Sequence, residues 1–199
     1  MVQSIPLQTY LAAIAAGDDD AAEQTVAALT ADDAQALATL ATQGTLDEQW
    51  WALRALAEVG ETEAVPLLCA ALSSPDTGVR AVAALALSHV HRRAAPEVAA
   101  VLDQVTALLA DDNGLVRQAA ADSLAICGND AVPALGRVLR NGTHQGARTR
   151  AAGALRKIAT MPAAAILYPL LNDENHMVRM YAYEGLDEMG LLENVLLVP

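Results

Sequence analysis

Apolar residues recur along this chain at helical rather than strand spacing, and one stretch sets the pattern that the others copy. Residues 114–128 read GLVRQAAADSLAICG. With Arg117 taken as position zero, Arg80, Arg148 and Arg179 stand at the same place in their own segments, and Gln49 takes it in the first. The steps between them are 31, 37, 31 and 31 residues. Three positions on, every copy has alanine (Ala52, Ala83, Ala120, Ala151, Ala182), and seven on, every copy has leucine (Leu56, Leu87, Leu124, Leu155, Leu186). A spacing of three then four keeps to one face of an α-helix. Val79, Val116 and Val178 precede the zero in three copies, and Val59, Val90, Cys127, Ile158 and Met189 stand ten after it. The stripe therefore runs for three turns and predicts a buried helix repeated five times.

The rest of the chain supplies partners for these helices. Residues 7–16 and 18–29 read as two short helices, with Gly17 ending the first and Asp18 to Asp20 capping the second. Residues 32–42 follow a capping Thr30 and stop at Gly44, and residues 47–59 carry the first stripe. Between stripes lies a second helix of its own type, AVPLLCAALSS from Ala64 and AVPALGRVLRN from Ala131. Proline is tolerated in a first helical turn, where its missing N–H has no partner to lose, so Pro66, Pro133, Pro96 and Pro162 mark helix starts. Pro169 falls inside the segment 162–171 and predicts a kink or a late start there. The 37-residue step, six more than the others, predicts a longer loop and following helix in HVHRRAAPEVAAVLDQV. The connections SSPDTG, ADDNG, RNGTHQG and NDENH have the chemistry of tight turns, and short turns force antiparallel neighbours.

Composition narrows the class. With 54% hydrophobic residues, 3% aromatic and no Phe, the 199-residue chain buries aliphatic side chains and has little with which to stack on bases or sugars. A net charge of -12 opposes general nucleic-acid binding, which draws its affinity from neutralising phosphates. Cys69 and Cys127 both lie on apolar helix stripes, which fits two small buried hydrophobes in a reducing compartment. The N-terminal stretch lacks the basic segment of a signal peptide, and no run is long enough to span a membrane, so the expected location is cytoplasmic.

The combination of an AVPxL helix with a following Asp, a Val-Arg pair, Ala three on and Leu four after that resembles the HEAT repeats. In particular it is similar to the short Ala-rich variety named after phycobilisome lyases, over roughly residues 30–190. The resemblance implies an all-α fold, a right-handed α-solenoid or superhelix of about six antiparallel helical hairpins. One domain, 1–199, would comprise an N-terminal capping hairpin at 1–30, five repeats at 31–190 and a capping tail at 191–199. It also implies that the Arg-bearing helix lines the concave face, and that an Asp six residues before the Arg joins a ladder between repeats. Asp111 with Arg117 and Asp173 with Arg179 match, whereas Arg80 has Ser74 and Arg148 has Gly142 at that place.

Candidate chemistry is sparse. His89 and His91 are two apart and do not share a helix face, so no metal site is expected. The paired His-Glu steps that HEAT-like lysine-derivative hydroxylases use for iron do not occur, and neither a strained nucleophile turn nor a phosphate loop is present. No catalytic residue, cofactor or metal is assigned. Charge is more telling: residues 1–53 hold eight acids and no base, while residues 131–172 hold six bases and no acid. That block is a candidate anion or partner site, or else a solvated and internally paired surface. The candidate partner-binding residues are Trp50 and Arg54 in the first repeat and Arg148 and Arg156 in the fourth. Arg150, two residues from Arg148, should point elsewhere, toward a neighbouring repeat. The expected role is a non-catalytic scaffold that binds a protein or peptide on its concave face, as a monomer or with weak head-to-tail self-association. The family name suggests a bilin lyase or lyase subunit as the alternative, and DNA-lesion binding is opposed by the acidity.

Overall fold

The computed structural model describes residues 4–192, and they form two compact units that divide between Val101 and Leu102. Among the described residues there is no strand, and no helix is long and apolar enough to cross a membrane. The fold is an all-α solenoid, built from helices that none of the repeats can bury alone.

In the first unit, α1 (Ile5–Ala16) and α2 (Asp19–Val26) make the N-terminal hairpin. Gly17 turns between them with φ 66°, a left-handed conformation that glycine adopts without cost. The Ser4 hydroxyl accepts the Leu7 N–H and donates to Asp33 at 2.7 Å, which ties this hairpin to the start of α3 (Ala34–Gln43). Asp33 is 3% exposed and is kept satisfied there by a further bond from the Thr30 N–H at 2.9 Å. The first stripe helix, α4 (Leu46–Val59), opens on a Thr45/Glu48 capping box. Tyr10, fully buried, donates its hydroxyl to the Trp51 carbonyl at 2.6 Å and meets the Trp51 ring edge-on at 6.3 Å. Burial raises the Tyr10 pKa above the usual phenol value, so this hydrogen-bond donor is held. Then come α5 (Val65–Ala71), the second stripe helix α6 (Thr77–Val90), which packs on α4, and the short α7 (Ala95–Ala99). Arg93 reaches back to the carbonyls of Ala57 at 2.7 Å and Gly60 at 2.8 Å, at the C-terminus of α4, where a cation suits both the free carbonyls and the helix dipole.

The second unit begins with α8 (Leu102–Ala107) and continues through α9 (Gly114–Ile126), α10 (Val132–Asn141), α11 (Gln145–Ile158), α12 (Met161–Leu167) and α13 (His176–Glu188). Here α11 packs between α9 and α13, so three stripe helices lie side by side. The six extra residues of the long step do not lengthen one helix as expected. They fall in a segment that breaks into α7 and α8 around residues 100–101. Pro66, Pro96, Pro133 and Pro162 all sit in first turns, as their chemistry requires. Pro169 ends α-helical geometry: α12 stops at Leu167 and a 3-10 turn carries residues 168–172, because proline removes an amide and clashes with the carbonyl four residues back.

The stripe is the core of both units. Ala52, Ala83, Ala120, Ala151 and Ala182 are all 0% exposed, and the five stripe leucines are at most 1% exposed. Alanine at the crossing lets neighbouring helices approach closely, and leucine fills the space a turn later. The expected capping tail falls largely on residues 193–199, outside those described.

Candidate functional site

The repeated arginine does the same structural job in three copies. Its Nη1 donates to two carbonyls of the turn before its own helix: Ser74 and Pro75 for Arg80, Asp111 and Asp112 for Arg117, Asp173 and Glu174 for Arg179, at 2.6 to 3.1 Å. Because the acceptors are backbone oxygens, Ser74 serves as well as an aspartate. Arg148 departs from this pattern. Its Nε donates to the Leu139 carbonyl at 3.1 Å, and its guanidinium closes on the carboxylate of Asp173 from the next repeat. Those two side chains are 13% and 8% exposed, so this is a buried rung between repeats.

The other candidates also have intramolecular partners. Arg156 pairs with Glu184 at 3.0 Å and with Glu188, whose carboxyl it holds below the usual range. Arg54 pairs with Glu23 and, at 3.2 Å, with Glu58. Burial works to lower the Arg54 pKa, but the bond and charge of Glu23, then Glu58, hold it above its ordinary value. Trp50 is half-buried: its ring stands edge-on to Trp51 at 4.8 Å and against Gly78 of α6, while Trp51 is the plug. The structure does not bring Arg148 and Arg156 to one open site, since each is drawn to acids of the following repeat. Two more bases of the block are met by flanking acids: Arg137 pairs with Asp103 at 2.8 Å and Lys157 with Asp122 at 2.7 Å.

One cavity in the second unit has a lining that differs from the aliphatic core. It measures about 180 Å³ and lies across α9, α11 and α13. Its floor is Ala121, Gly153 and Ala154, and its walls are Gln118, Thr149, Arg150, Arg156, Lys157 and Tyr181. The Tyr181 ring lies over α11 at Gly153, where an added Cβ would make ordinary contact with it at 3.6 Å. Burial would raise the pKa of Asp122 on the rim, yet hydrogen bonds from Lys157 and Gln118 hold it below the usual value. Of the three cations, Arg156 and Lys157 are thus compensated by acids, whereas among the described residues Arg150 reaches the Leu109 carbonyl at 3.3 Å and no carboxylate. Burial first, and the charge of Arg117 second, lower the Arg150 pKa from its ordinary value. The arrangement can hold a polar or anionic group by hydrogen bonds. It contains no nucleophile beside a base, and no metal-binding cluster occurs among the described residues. Tyr181 and Gln118 escaped the sequence reading because only the packing of three helices brings them together.

Family models described as HEAT repeats and as the PBS lyase HEAT-like repeat match residues 34–125 and 116–141, together more than half of the chain. The chain belongs to the HEAT-repeat family. No curated protein matches its sequence. Among solved structures, this HEAT-repeat protein is similar to the Escherichia coli protein YibA, at 18% identity and TM-score 0.54, over 99% of this chain and 80% of that one. Two engineered proteins are similar as well. One is 24% identical with TM-score 0.52 over 95% and 94% of the two chains; the other is 20% identical with TM-score 0.50 over 94% and 97%. At such identities the likeness speaks for the fold alone.

Proposed function

We propose that this HEAT-repeat protein is a non-catalytic interaction module that holds a protein or peptide partner on the face made by α9, α11 and α13. The observation that carries this reading is the cavity over Gly153. At about 180 Å³ it falls below the roughly 300–1,000 Å³ usual for small-molecule sites, and it suits a single inserted side chain. Its walls are polar and cationic, and they offer orientation and hydrogen bonding without chemistry.

Gly153→Leu tests the proposal, because it fills the cavity while replacing a helix-interior glycine by a better helix former. Proteins captured from the native lysate by the wild type and lost with Gly153→Leu support the reading, provided that the melting temperature is kept. An identical capture profile for the two refutes it. The lyase-like alternative rests on the repeat type at residues 116–141, and the cavity has a single aromatic ring against which a bulky conjugated chromophore would lie. A covalent bilin adduct, or bilin transfer, on incubation with the protein would replace the scaffold reading by that one.

A further inference from the structure

The ladder between repeats has a missing rung, and among the described residues the two cations beside it pair with no acid. Arg148 takes its carboxylate from Asp173, which stands six residues before the zero position of the next repeat. The residue in that place for Arg117 is Gly142. No side chain fits there: a Cβ on Gly142 would stand 2.3 Å from the Val138 carbonyl oxygen, because the backbone closes on that carbonyl to end α10. The rung is therefore absent for a structural reason, and no single substitution of Gly142 supplies it.

Arg117 is left with the two carbonyls of Asp111 and Asp112, and its Nε is buried without a hydrogen-bond partner. A buried N–H with no acceptor is costly and uncommon, the more so on a charged group. Arg150 comes to the same turn from α11, with its Nη1 on the Leu109 carbonyl, two residues before Asp111. Among the described residues neither guanidinium forms an ion pair with a carboxylate. Their mutual repulsion lowers the Arg150 pKa, after burial, which is the effect a bound anion would relieve.

We infer that Arg117 and Arg150 form a carboxylate-binding site, which an Asp or Glu side chain of the partner peptide fills as Asp173 fills the site at Arg148. The site rests on the interaction-module reading and deepens it, since Arg150 also lines the cavity over Gly153. The partner is thereby an acidic segment. One of its carboxylates takes the fork geometry of two guanidiniums while a neighbouring side chain enters the cavity.

The test follows the Arg Nε–Hε signals of the full chain by NMR, titrated with acetyl-Asp-Glu-Asp-Glu-amide, with its Asn/Gln counterpart, and with inorganic phosphate. The acidic peptide should move the Arg117 and Arg150 signals saturably, and the amide counterpart should not. Arg150→Gln should weaken the acidic peptide about tenfold or more, as expected for loss of a charge-assisted bond. If that variant does not fold, Arg150→Lys, which keeps the charge and loses the fork, should show weakening in the same direction. Unmoved signals, equal movement of all arginines, equal response to phosphate, or unchanged affinity in the variants would each overturn the assignment. If the assignment is overturned while Gly153→Leu still abolishes capture, only the acidic-ligand inference falls. If capture is also unaffected, the module reading falls with it.

Discussion

Arg148 and Asp173 are joined across two successive repeats, and both side chains are largely withdrawn from solvent. The Leu139 carbonyl accepts from the Arg148 Nε, and the Asn175 N–H donates to the other carboxylate oxygen of Asp173 at 2.9 Å. The pair therefore adds a polar link between α11 and the turn before α13, beside the apolar packing of the two helices.

Removing one partner of this pair strands the other. Arg148→Gln or Asp173→Asn should each destabilise the fold by about 3 kcal/mol, the cost of an uncompensated buried charge. The double variant should lose less than the sum of the two. Urea unfolding of all four proteins in a double-mutant cycle measures the coupling.

Ala120 is 0% exposed where α9 meets its neighbours, and there is no room for a longer side chain. Ala120→Leu should cost about 1–3 kcal/mol by overpacking, read as a lowered denaturation midpoint. Ala121→Leu, one position on at the cavity floor, should cost less and should weaken partner binding instead.

The thiols should differ in reactivity. Cys127 is 3% exposed, and burial, followed by the charge of Asp130, pushes its pKa up to about 12. Cys69 is half-buried and raised by burial alone. The folded protein at pH 8 should therefore label at Cys69 first, with Cys127 labelled only as fast as the fold opens. Mass spectrometry of alkylated peptides over time gives both rates, and equal rates would contradict this burial. A thiol whose folded pKa is raised binds its proton more tightly in the native state. Its contribution to stability is therefore complete below the ordinary thiol pKa and is lost as pH climbs from there toward 12.

The Asp122 carboxyl, held below its ordinary pKa by Lys157 and Gln118 against the effect of burial, has the opposite sign. Its link between α9 and α11 should be complete above the usual carboxylate range and lost as pH falls through and below it. Asp122→Asn should flatten the acid limb of the stability profile while changing neutral stability little, since this pair is largely exposed. A profile unchanged by the substitution would show that other carboxylates carry the acid transition.

The sequence by itself determined the repeat, its register and the buried face. Ala and Leu recur at fixed distances from Arg80, Arg117, Arg148 and Arg179 because every repeat solves the same local problem, a helix that must hide one stripe. The caps at Gly17, Asp18 and Thr30 were legible for the same reason, since capping is settled within a few residues. Only the tertiary structure decided where the charges go. Arg156 meets Glu184 and Glu188, and Arg137 meets Asp103, about one repeat away along the chain; these pairings depend on helix packing rather than on neighbours in sequence. The same holds for Arg117 and Arg150, which share one turn because α11 lies on α9, and whose missing acid is dictated by how tightly the backbone closes at Gly142. Hydrophobic periodicity is a property of one helix and is written along it, whereas an ion pair or an empty rung belongs to two helices and is set only when they pack.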